Sequence, residues 1–136
     1  MFFKKDKINE KDSELIKVGA LLIHAAKIDE DYSQKEAEII KQALLKINSD
    51  IKDINQIIKK AEEIEKNSNQ ILDFTREAKN LQETDKIKIV EALWSIIYSN
   101  NEADIYETNL MRRLAGLLYI DSKTMGNIKD KIKIKL

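Results

Sequence analysis

Apolar residues along this chain recur three and four positions apart, block after block, with charged and polar residues between them. That is the helical period, because side chains at i, i+3, i+4 and i+7 share one face. The first block predicts a helix from about Ser13 to Lys27, with Leu15, Val18, Gly19, Leu22, Ala25 and Ala26 on one face and Asp12 or Ser13 as its cap. A loop over residues 28–32 follows. Ser33 then stands three residues before Glu36, the spacing of a capping box, and Ile39, Ile40, Ala43, Leu44 and Ile47 stripe a second helix. Asn48, Ser49 and Asp50 form a stop and restart. A third helix carries Ile51, Ile54, Ile57, Ile58, Ala61 and Ile64, and a short fourth holds Ile71, Leu72, Phe74, Thr75 and Ala78. Thr84 and Asp85 open a fifth, with Ile87, Val90, Leu93, Trp94 and Ile97 on a broad face. A sixth carries Leu110, Met111, Leu114, Ala115, Leu117 and Leu118. The last begins near Asp121 and Ser122, and its Lys-rich end over residues 129–136 is expected to fray.

Composition sharpens this picture. No proline interrupts the pattern, and glycine occurs only at Gly19, Gly116 and Gly126, so the main helix breaker is missing. The fold class expected is all-α: a single-domain bundle of about seven helices over residues 12–130, flanked by an N-terminal tail at 1–11 and the Lys-rich end at 131–136. The chain carries 24 Lys and Arg against 24 Asp and Glu, a balance that argues against a nucleic-acid partner. It has no cysteine, which removes disulfides, thiolate nucleophiles and Cys-based metal sites. The N-terminus lacks the apolar core of a secretory signal, and the longest apolar run, from Val18 to Ile23, falls far below the ~20 residues that span a bilayer. A cytoplasmic location is expected. Lacking an aromatic or a wide apolar face, the basic C-terminus reads as a soluble tail rather than a membrane-surface helix.

One pattern occurs twice. Asp29, Asp31, Ser33 and Glu36 are matched, after a shift of 71 residues, by Asn100, Glu102, Asp104 and Glu107. Each set lies between an apolar helix and a capped amphipathic one. Over the ungapped match only Leu22/Leu93 and Glu36/Glu107 are identical, so the pattern repeats rather than the sequence. Two related helical hairpins packed against each other fit this arrangement.

Oxygen-bearing side chains at alternate loop positions suit a hard cation, calcium or magnesium. Asp29, Asp31 and Ser33 have the opening spacing of an EF-hand loop. The glycine and closing glutamate of that motif are missing, and Glu36 comes four positions too early. Helix capping explains the same residues otherwise. Ser33/Glu36 and Asp104/Glu107 are what helix N-termini favour, whereas Asp29 and Asp31 are not needed for a cap. Both roles are compatible. His24 is the only histidine, which removes a two-His metal site, and it falls at the edge of an apolar face with a partly wet ring. No phosphate-cradling glycine motif is present. Trp94 and Tyr98, one turn apart, read as core aromatics, and Arg112 and Arg113, which could bind an anion, read more simply as solvated charge or an intrahelical pair.

At these residues the chain resembles the tellurite-resistance TerB-like family of small helical bacterial proteins. The resemblance rests on Ala25-Ala26-Lys27-Ile28-Asp29-Glu30 with Glu36, and on Leu93-Trp94 through Asn100-Asn101 with Tyr106-Glu107 and Leu110-Met111-Arg112-Arg113-Leu114. Asp73-Phe74-Thr75-Arg76 resembles a further family segment. The family's turn glycine is replaced here by Glu30 and Asn101, and its second aspartate by Asn100, which makes the first loop the better cation site. The resemblance implies an all-α, non-enzymatic module, associated with stress or tellurite response and with protein partners. It brings no catalytic residues and no certain cofactor, and it assigns no oligomeric state. Two rivals remain open. A metal-dependent hydrolase needs both loops to converge on an open coordination position in a cleft. A purely structural interaction domain uses both loops only as caps.

Overall fold

The computed structural model describes residues 10–27, 33–67, 74–76, 79, 81–98 and 105–135, with side chains from residue 12 onward and, in the last stretch, over 109–134. Every regular element among them is helical. The order is α1 (Glu10–Ala26), α2 (Gln34–Ile47), α3 (Ile54–Lys66), a helical turn at 74–76, α4 (Glu83–Ile97), α5 (Ile105–Leu117) and α6 (Ser122–Lys135). The fold is all-α, as the helical period requires.

The two most apolar helices lie at the centre. In α1, Leu15, Ile16, Val18, Ala20, Leu21, Leu22, Ile23, Ala25 and Ala26 are all buried, so apolar surface runs round most of its circumference. A helix of that kind must be surrounded. It packs most extensively on α3, and also on α4 and α2. The other central helix, α4, contributes Ile89, Val90, Leu93, Trp94, Ile96 and Ile97, and packs on α2, α6 and α1. Gly19 allows a close approach of α1 to α3: a Cβ there would stand 3.0 Å from the Ala61 Cβ.

Several helix ends differ from expectation. Because α1 begins at Glu10, Asp12 and Ser13 lie inside the helix rather than capping it. The restart after α2 is later than Ile51. Asn48 Oδ1 accepts the Asp50 N–H at 3.0 Å and stops the chain, and Asp53 caps α3 by accepting the Gln56 N–H at 3.2 Å. Helix α4 starts at Glu83, ahead of Thr84, with Gln82 at the cap making no side-chain bond there. Glu83 and Asp85 place negative charge in its first turn, where the helix dipole favours it. The Lys-rich end does not fray: α6 runs to Lys135, and Ile132 is buried in the core. Of the expected fourth helix, Ile71, Leu72 and Ala78 lie outside the described residues, while Phe74 and Thr75 are buried.

The passage from α5 to α6 is tightly closed. The Ile120 N–H donates to Ala115 O at 2.9 Å and the Tyr119 N–H to Gly116 O at 3.3 Å, the paired bonds of a Schellman end. Tyr119 therefore adopts a left-handed φ of 58°, and the Lys79 and Lys86 ammonium groups each lie 5.7 Å from its ring centroid. Asp121 then caps α6 by accepting the Thr124 N–H at 2.7 Å, which holds its carboxyl below the usual value of 3.8. A lowered carboxyl stabilises the fold above its unfolded pKa and loses that contribution as pH falls through the folded one. This cap weakens only in acid.

Candidate functional site

At the exit of the first acidic loop the capping box is complete. The Glu36 N–H donates to Ser33 Oγ at 3.2 Å, and the Ser33 N–H donates to Glu36 Oε1 at 2.8 Å. Glu36 is 2% exposed, so its carboxylate lies within the fold rather than on its surface. One carboxylate oxygen and the hydroxyl are thereby engaged by backbone donors at the positive end of α2. Ser33→Ala is expected to cost about 1 kcal/mol, read as a lower urea midpoint at unchanged m. Glu36→Ala should cost at least as much, because it also empties a buried position, and an unchanged midpoint for both would remove the cap from the account.

At the end of α1, a lysine and a histidine meet an acid from α3. Glu65, near the end of α3, is buried. Its Oε1 accepts from Lys27 Nζ at 2.7 Å, and its Oε2 lies 3.3 Å from His24 Nδ1, where an Nδ1–H tautomer donates. The His24 side chain is 33% exposed, the partly wet edge position read from the sequence, and its ring is tilted against Phe74 at 6.4 Å. A carboxylate taken this far from water is favoured only when it is paired, and the Lys27 ammonium and the His24 ring at the end of α1 supply the partners. The sequence reading missed this cluster and set Ile64 on the apolar stripe instead. Ile64 is among the exposed large hydrophobics, and Glu65 is turned inward. The signal was present: Glu65 falls four residues after Ala61 and seven after Ile58, in step with the buried face.

Of the predicted cation ligands, Ser33 and Glu36 are brought together by the cap. Asp29 and Asp31 lie outside the described residues, as do Asn100, Glu102 and Asp104. Glu107 falls in the first turn of α5, with its side chain outside the described part. Among the described residues no three His, Asp or Glu side chains are grouped to hold a metal ion, so a cation in the first loop would depend on Asp29 and Asp31. Trp94 and Tyr98 are buried core aromatics, stacked with ring centroids 5.9 Å apart. No helix among the described residues is long and apolar enough to cross a membrane.

A family model described as "Tellurite resistance protein TerB" matches residues 15–130 of this chain. No curated protein and no solved structure matches it.

Proposed function

Because the chain belongs to the TerB family of tellurite-resistance proteins, we propose that it works as a non-enzymatic helical binding module whose first acidic loop takes a divalent cation, calcium or magnesium. The observation that carries the reading is the division of labour among the loop's oxygens. Ser33 and Glu36 are engaged in the α2 cap, and Asp29 and Asp31 are carboxylates that the spacing of a capping box does not call for. Two neighbouring carboxylates beside a fixed loop exit are hard oxygen donors of the kind these ions prefer. The second loop, with Asn100 in place of an acid, holds less charge and is the weaker site. The module acts in the cytoplasm on protein partners, and a stress-response role, tellurite included, rests on family membership.

The test is an amide-resolved NMR titration of the metal-free protein with calcium, magnesium and zinc. Saturable shifts confined to residues 29–36 are expected with calcium or magnesium. Asp29→Asn with Asp31→Asn should keep the fold and abolish them. Equal cation responses in wild type and double variant would sink the assignment and leave the loop as a helix cap alone.

A further inference from the structure

A groove of about 380 Å³ lies between α4, α5 and α6, with Trp94, Met111, Ile120 and Met125 among its apolar walls. It includes none of the eight acidic-loop positions. Three features set it apart from ordinary surface. The first is an unmet donor: Trp94 is 4% exposed, and its indole nitrogen is the one buried side-chain nitrogen or oxygen among the described residues that has no hydrogen-bond partner. Leaving such a donor unpaired is costly, and native folds rarely do so without a reason.

The second feature is charge. Arg112 and Lys129 line the groove, the Lys129 ammonium lies 5.3 Å from the Trp94 ring centroid, and no described carboxylate joins them. In a chain with equal numbers of acids and bases, that one-sided lining is local. The third is space. Gly116 and Gly126, on facing helices, both border the groove, and a Cβ at either would meet nothing within 4 Å. Neither has a positive φ. Glycine in a helix is destabilising relative to alanine, so two helical glycines without a steric or backbone demand leave open room along one groove.

We propose that this groove binds a small organic anion with an apolar body, a medium-chain carboxylate. Its chain lies over Met111 and Met125 and between the two glycines, and its carboxylate lies at Arg112 and Lys129. The volume is at the small end of ligand sites, which fits a small molecule rather than a protein segment.

Trp94 is the only tryptophan, so the fluorescence and the single indole N–H resonance come from one residue in the wall of this groove. The probe is decanoate below its micelle concentration, with decanol and decyltrimethylammonium as the neutral and cationic arms. Decanoate should shift the indole resonance saturably, and the other two should not. Arg112→Gln with Lys129→Gln should weaken binding about tenfold or more, the loss expected for charge-assisted contacts. Gly126→Leu should fill the groove and abolish the response. That variant should keep the fold, because its Cβ enters open space and leucine favours the helix. No saturable shift with decanoate, an equal shift with decanol, or an undiminished response in folded Gly126→Leu would each overturn the proposal.

Discussion

Gly19→Val is expected to cost about 3 kcal/mol, the upper range for overpacking a close-packed core, although valine is the better helix former. The first added atom already has no room. A Cβ at position 19 would lie 3.0 Å from the Ala61 Cβ and 3.4 Å from Leu44 Cδ1. The leucine methyl can swing aside. The alanine Cβ cannot, because it is fixed to the backbone of α3 in the most extensive helix pair of the fold. Valine adds two more methyl groups at the same point, so α1 and α3 must separate along their contact. Gly19→Ala should show the conflict at smaller scale, with about 1 kcal/mol of gained propensity set against the clash. Adding Ala61→Gly to it should relieve the clash and give a coupling of about 0.5–3 kcal/mol in a double-mutant cycle. The same substitution at Gly116 and Gly126, where the space is open, should stabilise by about 0.5–1 kcal/mol each. Urea midpoints decide it. A Gly19→Val protein with the wild-type midpoint would mean that α1 and α3 are not in contact there.

That contrast also marks what could be read in advance. Helix positions came through because the period of three and four is imposed by burial itself, and Leu22, Ile40, Leu44, Ile57, Ala61, Leu93 and Leu114 are all buried as the pattern requires. The depth of α1 did not come through. Its pattern picks out Leu15, Val18, Gly19, Leu22, Ala25 and Ala26, yet Ile16, Ala20, Leu21 and Ile23 are buried as well. One-face reasoning assumes a helix with a wet side, and a central helix has almost none. Nor does the pattern separate the three glycines, which differ only in what another helix brings against them.

The site was legible where its chemistry is local. Ser33 and Glu36 sit three residues apart, and their cap forms within one turn of chain, so spacing alone predicts it. Glu65 with His24 and Lys27 is a contact across about forty residues, made only because α1 and α3 pack along their length. The groove beside Trp94 is less legible still. It is assembled from three helices, and no short motif marks Arg112 and Lys129 as neighbours of one indole ring. Local hydrogen bonding is written in adjacent residues, whereas concave surface follows from helix angles that composition does not specify.

Leu22→Ala and Leu93→Ala are each expected to cost about 2–5 kcal/mol, a large share of the ~5–15 kcal/mol that holds a domain of this kind folded. Both side chains are fully buried, in α1 and α4, and they occupy the same position in the two halves of the repeated pattern. Each loss combines the transfer energy of the deleted carbons with the cavity that remains, and a site ringed by helices collapses little. The two need not cost the same, because α1 rests chiefly on α3 while α4 is shared between α2, α6 and α1. Both should lower the urea midpoint at unchanged m. Ile134→Ala, at 85% exposed, should leave it within about 0.5 kcal/mol. A cost below about 1 kcal/mol at Leu93 beside a full loss at Leu22 would mean that the second half does not share the core. Comparable losses at both are the result expected of two apolar helices packed into a single interior, each contributing the equivalent leucine to it.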